Sequence, residues 1–148
     1  METVTLCDLT SKNWYECVKL SVREDQKGFV ATNAFSIAEA HFSPELVTQA
    51  IYAGESMVGF TMYGRDPDSG KVWIIRLMVD QRYQGKGYGR AAMVQVIDRL
   101  RQLPECGQIF ISYEPENEVA ERLYNSLGFN ATGEFIEGEK VSCLSFAV

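Results

Sequence analysis

Gln84-Gly85-Lys86-Gly87-Tyr88-Gly89 decides how this chain is read. It follows an apolar run, Val72 to Val79, that reads as a strand, and it leads into an amphipathic pattern that reads as a helix from near Arg90. Alternate glycines at such a turn let the backbone curl tightly, with no Cβ to hold a ligand away. The free N–H groups of the helix's first turn then face the loop, where the positive end of the helix dipole favours an anion. The stretch therefore predicts a phosphate cradle of main chain over 84–89, against the plainer reading of a glycine-softened turn. Arg90 or Lys86 would add charge against the phosphates, although Lys86 reads equally well as a solvated loop lysine. No Lys-Ser or Lys-Thr follows the glycines, which argues against a Walker loop, and Gly-x-Gly-x-Gly is not the dinucleotide fingerprint.

The flanks narrow the choice. Gln84-x-x-Gly87-x-Gly89 resembles the acyl-CoA pyrophosphate loop of the GNAT family of N-acetyltransferases. Asn117-x-x-Ala120-x-x-Leu123-Tyr124-x-x-Leu127-Gly128-Phe129 resembles that family's second signature, at a fitting distance. The resemblance is good over residues 55–148 and loose over the first fifty or so. Within the family the chain is most similar to bacterial spermine/spermidine (diamine) acetyltransferases. Gln26-Lys27-Gly28-Phe29-Val30-Ala31 and Trp73-Ile74-Ile75-Arg76-Leu77-Met78-Val79-Asp80 carry that narrower likeness. It implies an α/β fold, a single N-acetyltransferase domain over 1–148 with a mixed central sheet flanked by helices, and acetyl-CoA as co-substrate with no metal.

Composition sets the outer bounds. A chain of 148 residues suffices for one core burying about 70% of its unfolded surface. Apolar residues make up 46% and charged ones 23%, a globular composition. The net charge of −6 argues against nucleic acid and suits a small cationic amine, although general solubility explains it as well. Cys7, Cys17, Cys106 and Cys143 include no Cys-x-x-Cys pair, and with no signal peptide they read as reduced, buried thiols in a cytoplasmic protein. His41 is the single histidine and reads as a helix-end or surface residue, which nearly excludes a Ser-His-Asp triad or a histidine metal site. No run approaches the ~20 apolar residues of a membrane span, so no membrane partner is expected. A homodimer is allowed for, with no residue arguing for it.

Further elements follow from periodicity and turn chemistry. Thr3 to Leu9 reads as a strand, Thr10 or Ser11 as the cap of a helix through Leu20, and Asn33 to Phe42 and Glu45 to Ala53 as two short helices. Met57 to Tyr63 and Lys71 to Val79 read as strands joined by an Asp66–Gly70 turn. Arg90 to Leu103 reads as a helix with Met93, Val96, Ile97, Leu100 and Leu103 on one face, stopped by Pro104; Ile109 to Tyr113 reads as a strand, and Glu118 to Leu127 as a helix ended by Gly128. Thr132 to Ile136 and Val141 to Val148 read as a last hairpin.

Acetyl transfer to an amine asks for a hold on the co-substrate, an oxyanion donor, a base and an acid. The resemblance places the main chain of Leu77, Met78 and Val79 along the amide-bearing arm of acetyl-CoA, with the Leu77 N–H on the thioester carbonyl. Their side chains read as core in any case. The resemblance makes Asn117 a ligand of the same arm, and residue preference makes it equally a helix cap. Tyr124 lies seven residues on, about two helical turns, and the resemblance makes it the general acid toward the departing thiolate; otherwise it is a core tyrosine. The base is open. Relatives carry Glu at the position of Trp73 or of Ile75, and both are apolar here. Glu24, Asp25, Glu114 and Glu116 remain; the resemblance puts Glu24 and Asp25 on the substrate side, and the plainer reading of such a charge pair is a solvated face. Against polyamine acetylation stand acetylation of a protein N-terminus, a lysine or another small amine, and a silent acyl-CoA-binding module.

Overall fold

The strand over 72–79 is apolar but for Arg76 and needs cover on both faces, which puts it in mid-sheet. A computed structural model describes residues 2–146. In chain order it holds β1 (Val4–Asp8), α1 (Trp14–Lys19), α2 (Asn33–His41), β2 (Leu46–Ala53), β3 (Ser56–Arg65), β4 (Val72–Val79), α3 (Tyr88–Arg101), β5 (Gln108–Tyr113), α4 (Glu118–Ser126), β6 (Asn130–Ile136) and β7 (Glu139–Ser145). Short 3-10 turns occupy Glu24–Gln26 and Gln81–Tyr83. The strands form one seven-stranded sheet in the order β1-β2-β3-β4-β5-β7-β6. Every pairing is antiparallel except β4 with β5. This is the mixed α/β sheet expected from the sequence.

Helices cover both faces. Met93, Val96, Ile97 and Leu100 of α3, the stripe expected from periodicity, pack with Tyr124 of α4 against Ile74, Ile109 and Ile111. On the other face Cys17 and Leu20, with Ile37 and Ala40 of α2, pack against Ala50, Phe60, Met62 and Met78. Full burial of each large apolar side chain stabilises the fold by about 1.5–3 kcal/mol.

Several boundaries differ from expectation. Of residues 45–53, expected as a helix, Leu46–Ala53 form β2, inserted between β1 and β3. Leu46, Val47, Ala50 and Ile51 fit a helical stripe, but ladders on both sides override so short a pattern. The signal was Gly54, whose φ of +59° makes the first central residue of a two-residue hairpin turn. Helix α1 starts at Trp14, because Thr10 and Asn13 spend their side chains on the preceding turn. Helix α3 runs from Tyr88 to Arg101, two residues earlier at each end than expected. β7 begins at Glu139, two residues earlier than expected, and residues 147 and 148 of the expected last strand lie outside the described residues. Cys17 and Cys106 are buried as expected, but Cys7 is exposed; all four are free thiols.

The feature that makes the site is an interruption. β4 pairs with β5 only over Val72–Ile74 against Ile109–Ile111. Met62 faces Arg76 whereas Tyr63 faces Ile74, so Ile75 is an extra residue on β4. Such a bulge bends and twists its strand, and this one falls where the β4–β5 ladder stops. Beyond it the two parallel strands splay.

Candidate functional site

Strand alternation fixes what faces the gap. The Asp80 N–H donates to the Val58 carbonyl at 2.8 Å, and Thr61 Oγ1 donates to the Arg76 carbonyl at 2.8 Å. Main-chain groups of 76, 78 and 80 therefore point to β3, and those of Leu77 and Val79 point into the gap. Consistently, Gln84 Nε2 donates to the Val79 carbonyl at 2.9 Å. Met78 forms wall: its main chain serves β3 and its side chain is buried on the α1–α2 face.

At the end of β4 the loop turns through Gly85 (φ +78°) and Gly87 (φ +85°), left-handed conformations that favour glycine. Gly87 starts α3 with no side-chain cap, and its carbonyl accepts the first helical bond, from the Ala91 N–H. None of the six N–H groups from Gly85 to Arg90 finds an acceptor among the described residues. Gln84 holds this nest in place, donating to Gln26 Oε1 and accepting from Arg23 Nη1, each at 2.9 Å. Arg90 reaches across to the Ser126 hydroxyl, tying α3 to α4. Lys86 is exposed, makes no ion pair among the described residues and lies off the cavity wall.

Gap and nest open into one cavity of about 470 Å³. Ala120, Leu123 and Tyr124 of α4 line it from one face of the sheet; Val22, Arg23, Gln26, Phe29 and Val30 line it from the other. The structure thus brings Leu77, Met78, Val79, Gln84, Gly85, Gly87, Tyr88, Gly89, Arg90, Asn117 and Tyr124 to one cavity. Asn117 caps α4, accepting from the Ala120 N–H at 3.3 Å, and its amide NH₂ is unspent among the described residues. Its two readings are therefore compatible.

Tyr124 is buried between Tyr113 and Phe129, ring centroids 5.5 and 6.1 Å away. Its hydroxyl makes no hydrogen bond to a described residue. Burial above all, with Tyr113 and Glu139 adding to it, pushes its pKa well above the usual phenol value. Tyr124 is thus held in its neutral, protonated form. Cys17 is sealed in the core, and its thiol is pushed up to about 12 by burial and then by Glu16, which removes it as a nucleophile.

The structure does not bring the acidic candidates to the wall. Glu24 pairs with Lys27 at 2.8 Å and Asp25 with Arg23 at 3.3 Å, both largely exposed, and neither lines the cavity. Glu114 and Glu116 do not line it either. Sequence reasoning missed Arg23 and Arg76, which do. Arg76 pairs with Glu39 of α2 at 3.1 Å, and its polar placement in an apolar strand was the available signal.

The profile of the acetyltransferase (GNAT) family matches residues 5–129. This chain belongs to the GNAT acetyltransferases. The match takes in residues 5–50, which the sequence motifs covered only loosely. The chain is 31% identical over 146 residues to a spermine/spermidine N(1)-acetyltransferase of Bacillus subtilis, covering 94% of this chain and 96% of that relative. It is 27% identical over 140 residues to the N-alpha-acetyltransferase RimI of Mycobacterium tuberculosis, covering 89% and 82%. The GNAT fold also matches the crystal structure of spermidine N-acetyltransferase from Vibrio cholerae in complex with CoA and spermine, with a TM-score of 0.74 at 14% identity over 95% and 92% of the two chains. As a GNAT acetyltransferase the protein uses acetyl-CoA, and the open strand and the six-amide nest fit an amide-bearing arm and a pyrophosphate. Among the described residues no helix is long and apolar enough to cross a membrane, and no cluster of three metal-ligating side chains exists.

Proposed function

We propose that this cytoplasmic, single-domain protein moves the acetyl group of acetyl-CoA directly onto a primary amine of spermine or spermidine. The near full-length likeness to the Bacillus subtilis enzyme carries this reading. The co-substrate supplies an activated acetyl thioester. The amides of 85–90 bind its diphosphate, and the Leu77 and Val79 main chain aligns its arm with the open edge of β4. Asn117 adds its free amide to that arm. The Leu77 N–H is aimed at the thioester oxygen, where one well-placed donor is worth about 3 kcal/mol in the transition state. Tyr124 gives its proton to sulfur as the C–S bond breaks. Glu24 and Asp25 act at the rim, as exposed charges near the acceptor entrance.

A second reading is acetylation of a protein N-terminus. The likeness to RimI supports it, as does an acceptor wall of Val22, Phe29, Val30 and Ile75 on which no carboxylate lies among the lining residues. Thiol release from acetyl-CoA across polyamines, amino acids, aminoglycosides and peptides separates the two. Turnover of a peptide amine with none of spermine or spermidine would refute the polyamine reading. No turnover of any amine, with acetyl-CoA still bound, would leave a silent binding module.

A further inference from the structure

The wall of the cavity carries no carboxylate, yet one carboxylate reaches it through a single hydroxyl. Ser112 lines the cavity near the C-terminal end of β5, and its Oγ donates to Glu139 Oε1 at 2.7 Å. Ile109, Ile111 and Tyr113 point to the α3–α4 core, so alternation turns Ser112 to the opposite face. That is the face closed by Val22, Phe29 and Val30, across the gap from Tyr124. A serine hydroxyl has one proton, and Glu139 takes it. Toward the cavity Ser112 can therefore only accept, the polarity an amine or ammonium N–H requires.

Resting on the acetyltransferase reading above, we propose that Ser112 binds the acceptor nitrogen and that Glu139, through Ser112, removes its first proton. The ammonium passes a proton to Ser112 Oγ while the Ser112 proton moves to the Glu139 carboxylate. The freed lone pair forms the C–N bond and the acetyl C–S bond breaks. Sulfur takes the Tyr124 proton, the nitrogen's second proton restores the phenol, and Glu139 returns the first to water. Ser112 touches the substrate; Glu139 is a positioning residue acting through it. Tyr124 of α4 feels the charge of Glu139 as it does that of Tyr113 of β5, and Lys140, next to Glu139 in the chain, is committed to Glu121 of α4 at 2.9 Å.

Ser112→Ala and Glu139→Gln test this in the full-length chain. Both should lower kcat/KM for the amine by about 10²-fold or more at pH 7, with KM for acetyl-CoA within twofold. In both, log kcat/KM should climb with pH at a slope near one up to pH 9, because only free amine reacts once the relay is gone. Glu139→Asp should recover part of the loss. Wild-type pH profiles in both variants, whether or not kcat falls, would overturn the relay and leave the pair structural. If the wild type acetylates no amine, the acetyltransferase reading falls and the relay with it; an active wild type with indifferent variants removes the relay alone.

Discussion

Replacing Gly87 with valine tests the cradle most directly. Gly87 sits at φ +85° and begins α3, and a β-branched residue there costs about 1–3 kcal/mol in backbone strain. The strain is relieved only by rotating the loop, which moves the unpaired amides of 85–90 from their present positions. Hydrogen bonds from such donors to an ionised phosphate contribute about 1.5–3 kcal/mol each. Loss of two therefore weakens binding by about 3–6 kcal/mol, or about 10²- to 10⁴-fold in Kd. Calorimetric titration with CoA reads this, and circular dichroism with urea unfolding checks that the fold persists with the smaller strain cost. A Kd within threefold of wild type in a folded variant would refute the phosphate-loop assignment.

Tyr124→Phe keeps the ring between Tyr113 and Phe129 and deletes the proton; kcat should fall by about 10²-fold or more with CoA affinity unchanged, and a fall under twofold would return Tyr124 to the core. The Cys17 thiol is raised in the fold from 9.0 to about 12, so above pH 9 the unfolded chain loses a proton that the native one keeps. Stability from this group is full below pH 9 and falls by about 1.4 kcal/mol per pH unit between 9 and 12; urea midpoints at pH 8 and 10.5 should show a shallower alkaline loss in Cys17→Ser. Glu24 and Asp25 are exposed and paired, so Glu24→Gln or Asp25→Asn should raise the spermine KM a few-fold at most. The double change should exceed either, and added salt should raise the wild-type KM; indifference to both would remove these residues from the acceptor path.

What was legible in the sequence was what a local run of residues encodes. The glycines at 85 and 87, the helical stripe Met93–Val96–Ile97–Leu100, the Asp66–Gly70 turn and the Gly128 stop each act within a few residues, and each stands where it was read. β2 was misread because its spacing suits a helix and only its neighbours make it a strand. The gap is subtler. Nothing in Ile74-Ile75-Arg76 announces that Ile75 bulges, since the slip is defined by the register of β3 against β4. The family resemblance pointed to the same place, because it laid the arm of acetyl-CoA along Leu77 and Val79, just beyond the last β4–β5 pair.

The missing base is the limiting case. Sequence reading looked for a carboxylate on β4 or beside the motifs, and Trp73, Ile75 and the paired Glu24 and Asp25 closed those routes. Ser112 and Glu139 lie 27 residues apart on different strands, and neither belongs to a signature. They meet because Tyr113 pairs with Lys140 and Ser112 with Val141, which brings the first residue of β7 alongside the end of β5. Slipping that ladder by one residue would turn Glu139 to the opposite face and leave Ser112 free to donate into the cavity. The chemistry a sequence hides best is the kind written in strand register, because each residue alone reads as an ordinary surface polar group.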